Sequence, residues 1–158
     1  MKIGILSDTH DNLFKIEKAV RFFNKRKVDF VLHAGDFIAP FTIFRLKDLN
    51  CDWRGVFGNN DGERKGLTEV SEGRIQEGPL QLNLFERKFI LVHDIKKINL
   101  FKYPKEIIVI FGHTHRPQIK KERQRLLINP GECGGWLTRS STIAILNLDF
   151  IQAKIFEI

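Results

Sequence analysis

The sequence predicts an α/β protein in which two β-sheets pack face to face between flanking helices, a four-layer αββα sandwich. Two observations carry this expectation. Strand and helix signals alternate over the first half of the chain, and the second half turns almost wholly to strand. Several short apolar runs also stop at Asp, His or Asn, and ligand residues of α/β sheets stand at the carboxyl ends of their strands.

Residues 2–7 read as the first strand and deliver Asp8-Thr9-His10. Asp11 or Asn12 can cap a following helix, which carries Leu13, Ile16, Ala19, Val20 and Phe23 on one face. Lys25-Arg26-Lys27 places cations at its carbonyl end. A second strand over 29–34 ends in Gly35-Asp36, and Pro40 opens a second helix at its first turn, with Phe41, Phe44 and Leu49 directed inward. A third strand over 52–57 ends in Gly58-Asn59-Asn60-Asp61. Further strands are expected at 81–85, 88–92, 107–111, 118–122, 125–129, 142–148 and 151–156, with Asp149-Phe150 as the final turn and a short helix near 98–101. No linker, repeat or low-complexity stretch interrupts them. The 158 residues, 42% hydrophobic with 14 Phe, suit a single domain, 1–158, with an ample core.

Chemistry concentrates at the strand ends. The run 107–111 is followed by Gly112-His113-Thr114-His115. Residues two apart on extended chain point the same way, so both imidazoles can face one point, while Gly112 permits a sharp turn and close approach. Asp8 and His10 repeat that spacing, and the run 88–92 ends in His93-Asp94. Taken singly, Asp and Asn after a strand are turn formers. Turn formation does not call for histidine, however, and four of the five histidines stand at such ends. The exception, His33, lies inside its strand and reads as a structural histidine or a support behind the ligands.

In that order, Asp8-Thr9-His10, Gly35-Asp36, Gly58-Asn59-Asn60-Asp61, His93 and Gly112-His113-Thr114-His115 resemble the signature of calcineurin-like metallophosphoesterases. The match runs from Lys2 to about Gly135. The chain length and Asn129-Pro130-Gly131 are similar to the small, insert-free phosphodiesterase branch of bacteria and archaea. The resemblance implies that Asp8, His10 and His115 bind one metal, that Asn59, His93 and His113 bind another, and that Asp36 bridges both. Such mixed ligands suit Mn²⁺, Fe²⁺, Co²⁺, Ni²⁺ or Zn²⁺. The implied activity is metal-dependent hydrolysis of a small phosphodiester by hydroxide formed on metal at neutral pH, with the two ions about 3.5–4 Å apart. Two other classes share the pattern: a protein-binding scaffold of the same fold, like the retromer subunit with its eroded site, and a nuclease. All seven ligand positions match, which favours the enzyme, and the chain has no spare length for an added DNA-binding segment.

Three departures from the family pattern stand out. Asn60 occupies the position of a catalytic His that protonates the leaving group in relatives, and an amide cannot do this. Asp11 and Asp94 replace the usual Gly after a ligand His, and Glu132 replaces a Ser. These acids are expected at the rim, either paired with Arg64, Lys96 or Arg116 or repelling dianionic monoesters. The net charge of +7 and pI near 9.6 would suit a nucleic-acid partner. The basic stretch 120–125 nevertheless falls at a hairpin turn without interleaved aromatics, so the weight lies against one. The first strand begins too early to leave room for a signal peptide, and no apolar run nears the ~20 residues of a membrane helix. A cytoplasmic protein with no membrane partner is expected. Cys51 and Cys133 are expected to remain unpaired, and a homo-oligomer is compatible with the chain.

Overall fold

The layering starts in β1 (Lys2–Leu6), whose side chains alternate between two faces. In the computed structural model, which describes residues 1–158, Ile3 and Ile5 join the cluster between the sheets and Leu6 joins the cluster under the helices. Helix α1 (Leu13–Arg26) covers the Leu6 side with Ile16, Ala19, Val20 and Phe23. Asn12 caps it by accepting from the Lys15 amide, and Lys27 ends it in a left-handed conformation. Helix and strand touch at Gly4, where a Cβ would lie 2.9 Å from the Phe23 ring.

β2 (Phe30–His33) pairs in parallel with β1. A 3₁₀ turn at Pro40–Thr42 leads into the single-turn helix α2 (Ile43–Leu46), then come β3 (Trp53–Val56), α3 (Arg64–Val70) and β4 (Ile75–Gln76). The second sheet is built from β5 (Leu80–Leu84), β6 (Arg87–Leu91), β7 (Ile108–Ile110), β8 (Gln118–Glu122) and β9 (Arg125–Asn129), in the order β5-β6-β7-β9-β8. The chain then returns through β10 (Thr142–Asn147) and β11 (Gln152–Glu157), so the first sheet reads β11-β10-β1-β2-β3-β4. In each sheet the central strands, β1-β2-β3 and β6-β7-β9, run parallel, so their carboxyl ends open along one edge.

Between the sheets Ile3, Ile5, Leu32 and Val56 meet Phe89, Leu91, Ile110 and Ile128, all buried. Each such side chain contributes about 1.5–3 kcal/mol through removal from water. The outer face of the second sheet, with Ile90, Val109 and Phe111, is covered by Ile95, Ile98, Leu100 and Tyr103. That layer is thin: it consists of two 3₁₀ turns, Ile95–Lys97 and Leu100–Lys102, in place of the one short helix expected near 98–101. Asp94 and Asn99 each cap one turn through a side-chain acceptor, which starts two separate turns instead of one helix.

Phe41 and Phe44 require correction. They face solvent, and Thr42, Ile43 and Leu46 take the inward positions. In a stretch apolar on every side the period does not select a face, and the smaller branched residues fit beneath the turn. Helix α3 and strand β4 are additions to the expected elements. Both cysteines are free, and burial pushes the Cys133 thiol up to about 12, which leaves it unreactive. No helix is long and apolar enough to cross a membrane.

Candidate active site

The parallel strands deliver their last residues to one place. β1 supplies Asp8 and His10, β2 Asp36, β3 Asn59, β6 His93, and β7 both His113 and His115. One ligand atom from each of Asp8, His10, Asp36 and His115 lies within 4.8 Å of the others. His115 Nε2 stands 3.3 Å from Asp8 Oδ1, and His10 Nε2 stands 3.6 Å from Asp36 Oδ2. A second group forms around Asn59 Oδ1, which is 2.9 Å from His93 Nε2 and 2.8 Å from His113 Nδ1. His93 Nε2 is also 3.4 Å from Asp36 Oδ2, so Asp36 belongs to both groups.

Assembling these groups strains the backbone. Asp8, His10, Asp36, His113 and His115 all have φ between 43° and 67°. Asp and His tolerate this region better than most residues, but such conformations persist where the surroundings impose them and cluster at functional sites. The loops also approach closely. A Cβ at Gly112 would fall 1.9 Å from Ser7 Oγ, and one at Gly58 would fall 2.0 Å from Asp36 Oδ1.

Hydrogen bonds fix the ligand orientations. The Ala34 carbonyl lies 2.7 Å from His93 Nδ1, so that nitrogen donates, and in the neutral ring Nε2 is left as an acceptor facing two oxygens. Burial opposes charge on His93, yet the Asp36 carboxylate outweighs it and raises the ring's pKa. Burial likewise opposes ionisation of Asp36, but His93 and two Asn60 donors hold its carboxyl well below the usual range. Those donors are the Asn60 amide to Oδ1 (2.9 Å) and Nδ2 to Oδ2 (2.7 Å), so Asn60 clamps Asp36. His33 is buried and supports this layer. Its Nδ1 accepts from the Gly35 amide, Nε2 meets Thr9 Oγ1 at 3.1 Å, and its ring stacks on Phe37. Burial depresses its pKa, which keeps it neutral.

The donors fit a divalent cation. Asp8 Oδ1 and His10 Nε2 are buried with no hydrogen-bond partner, a costly state for polar atoms unless something compensates them. Carboxylate, imidazole and amide together suit borderline divalent metals.

The acids expected at the rim have other partners. Asp11, in a left-handed conformation, accepts from the Ala39 amide and Thr42 Oγ1, and Asp94, with φ −108°, caps the Lys96 amide. Glu132 is fully buried and accepts from the amides of Trp136, Leu137 and Thr138 and from Thr138 Oγ1. Burial resists its ionisation, but these amides prevail and lower its pKa. None of the three forms the expected ion pair, because backbone donors lie nearer. Asp61 is a further internal acceptor: Oδ2 takes the Asp36 and Gly58 amides and Oδ1 the Ile38 amide, tying the β2 and β3 loops together. Only its position two residues after Asn59 hinted at this. Glu132→Ala strands several donors and should cost about 2–3 kcal/mol. At ~2–4 °C per kcal/mol this lowers the melting temperature by roughly 5–10 °C, with a smaller drop for Glu132→Gln; an unchanged melting curve would contradict this role.

Comparison with known proteins agrees with the geometry. The family model described as the calcineurin-like phosphoesterase superfamily domain matches residues 1–150. The chain is 39% identical over 156 residues to phosphodiesterase MJ0936 of Methanocaldococcus jannaschii, covering 94% of each protein. It is also similar to a solved archaeal phosphodiesterase, with a TM-score of 0.89 and 35% identity over 100% of both chains. The E. coli phosphoesterase Yfce shares the fold at a TM-score of 0.73 and 22% identity, over 94% of this chain and 90% of that one.

Proposed function

Because the chain belongs to the calcineurin-like phosphoesterase superfamily, we propose that it hydrolyses small phosphodiesters with two divalent metal ions. Asp8, His10 and His115 would hold one ion, Asn59, His93 and His113 the other, and Asp36 would touch both. The observation that carries this reading is the set of unmatched atoms at the centre: buried Asp8 Oδ1 and His10 Nε2 without partners, and His93 Nε2 set against two oxygens. Each is accounted for by a bound cation. When bound, the ions supply Lewis acidity that ionises water near neutral pH and stabilises charge on phosphoryl oxygens.

The chain's own residues do the rest. Asp36, ionised through the working range, presents its oxygens between the two imidazole groups, and Asn60 fixes their direction. Ala34 sets the His93 tautomer, leaving Nε2 free for a cation. The strained loops pre-position Asp8, His10, His113 and His115, so little ordering is left for the moment of reaction. Asn60 has no proton to give to a departing alkoxide. The preference for diesters is supported by the phosphodiesterase names of relatives in both comparisons.

Metal analysis and an aryl phosphodiester assay test this together. The purified chain should take up two Mn²⁺, Ni²⁺, Fe²⁺, Co²⁺ or Zn²⁺ ions and hydrolyse bis(p-nitrophenyl) phosphate only when loaded. Absence of both uptake and metal-dependent hydrolysis between about pH 6 and 9, the range in which metal-bound water ionises, would leave the protein a scaffold of the same fold.

A further inference from the structure

The loop after β9 is bonded directly to the ligand-bearing loop after β1. The Cys133 and Gly134 amides donate to the Ser7 and Asp8 carbonyls, both at 2.9 Å. Asn12 Nδ2 donates to the Gly134 carbonyl at 2.7 Å, and Trp136 Nε1 donates to the His10 carbonyl at 3.0 Å. A Cβ at Gly134 would lie 2.8 Å from the Thr9 carbonyl oxygen, so only glycine permits this contact. On the inner side, Glu132 accepts the Trp136 amide at 2.8 Å while its Oε2 stands 3.5 Å from His115 Nδ1. Trp136 is thereby held at its backbone and at its ring nitrogen by groups that adjoin His10 and His115. It is nevertheless 63% exposed, and Leu137 beside it is 78% exposed.

A large apolar ring anchored through its only polar atom keeps the rest of its surface open next to the reacting centre. Anchoring also removes the ordering cost that a mobile indole would incur on meeting a ligand. We propose that Trp136 is a specificity-determining residue, an aromatic wall beside the metal centre that stacks on the aryl or nucleobase group of a phosphodiester. This rests on the phosphodiesterase reading above. The preferred substrates then carry at least one aromatic ring, an aryl ester group or a nucleobase, and purely aliphatic diesters lose the contact. Stacking of this kind tolerates any flat ring, because every such ring offers a π face.

The test compares two probes on the zinc-loaded protein: adenosine 5′-monophosphate and ribose 5-phosphate, which share the phosphorylated sugar and differ in having the base or a hydroxyl at its anomeric carbon. Trp53 is buried, so ligand-induced emission changes report chiefly on Trp136. Adenosine 5′-monophosphate should quench this emission saturably and ribose 5-phosphate should not. By calorimetry, Trp136→Ala should weaken adenosine 5′-monophosphate about tenfold and leave ribose 5-phosphate unchanged, with Trp136→Phe recovering part of the loss. In steady state the same variant should raise KM for bis(p-nitrophenyl) phosphate far more than it lowers kcat. Metal uptake measured in parallel separates the two readings. A wild-type chain that takes up no divalent ion sinks the phosphodiesterase reading, whereas a loaded chain whose affinity for both probes responds equally to Trp136→Ala overturns the aromatic wall alone.

Discussion

Asp36→Asn should lose both metal ions, whereas His10→Ala should retain one. Asp36 is the residue whose carboxylate reaches both donor groups, 3.6 Å from His10 Nε2 and 3.4 Å from His93 Nε2. Its pKa is depressed, so it is ionised throughout the working range, and the amide removes a full negative charge at every pH of interest. His10 touches only the first group. An ion that stabilises the transition state by several kcal/mol is worth about 10³-fold in rate, so Asp36→Asn should lose at least that much. His10→Ala should keep the second ion and more residual activity. Equal stoichiometry and equal residual rates in the two variants would show that Asp36 does not bridge.

The second large effect concerns Asn60. Without a proton donor, charge developing on the departing oxygen is left to metal and solvent, and the rate should fall steeply as the leaving group becomes more basic. Asn60→His should flatten that dependence, speeding alkyl diesters by up to the order of 10² while barely changing nitrophenyl esters. Two contacts limit the gain. Asn60 Nδ2 donates to Asp36 Oδ2 at 2.7 Å, a clamp the imidazole would have to replace. Both Asp61 oxygens already accept backbone amides, so they are not free to orient the new ring. Single-turnover rates on matched alkyl and aryl diesters decide the matter. Similar rates in the wild type would mean that another group donates the proton.

The strand ends were legible in the sequence because two independent signals coincide there. Apolar runs mark buried strands, and Asp, His and Asn appear together where turn formation alone would not select histidine. Those signals bring Asp8, His10, Asp36, Asn59, His93, His113 and His115 to the strand ends together with Asn60, Asp61 and Asp94. Only the resemblance to metallophosphoesterases picks the seven from their neighbours, and His33, inside its strand, stands apart as a structural histidine or a support behind the ligands. Helix α3, RKGLTEV, escaped notice because it buries only Leu67 and has Gly66 in its middle. The reason for that glycine is tertiary: a Cβ there would lie 2.8 Å from Pro40 Cγ. Strand β4 has two residues, too short for a period. The inward face of α2 is not legible because an apolar stretch offers no contrast between its sides. The burial of Glu132 is illegible for a related reason. Its acceptors' partners are amides four to six residues further on, and a loop that folds back on a buried carboxylate leaves no local pattern. Residues defined by their own chemistry could be read from the chain, and those defined by what folds over them could not.

The claim that seven side chains hold two ions is tested most directly by anomalous diffraction from crystals of the manganese-loaded protein. Two anomalous peaks are expected, one contacted by Asp8, His10 and His115, the other by Asn59, His93 and His113, with Asp36 touching both. A single peak, or peaks away from these residues, would contradict the dinuclear assignment.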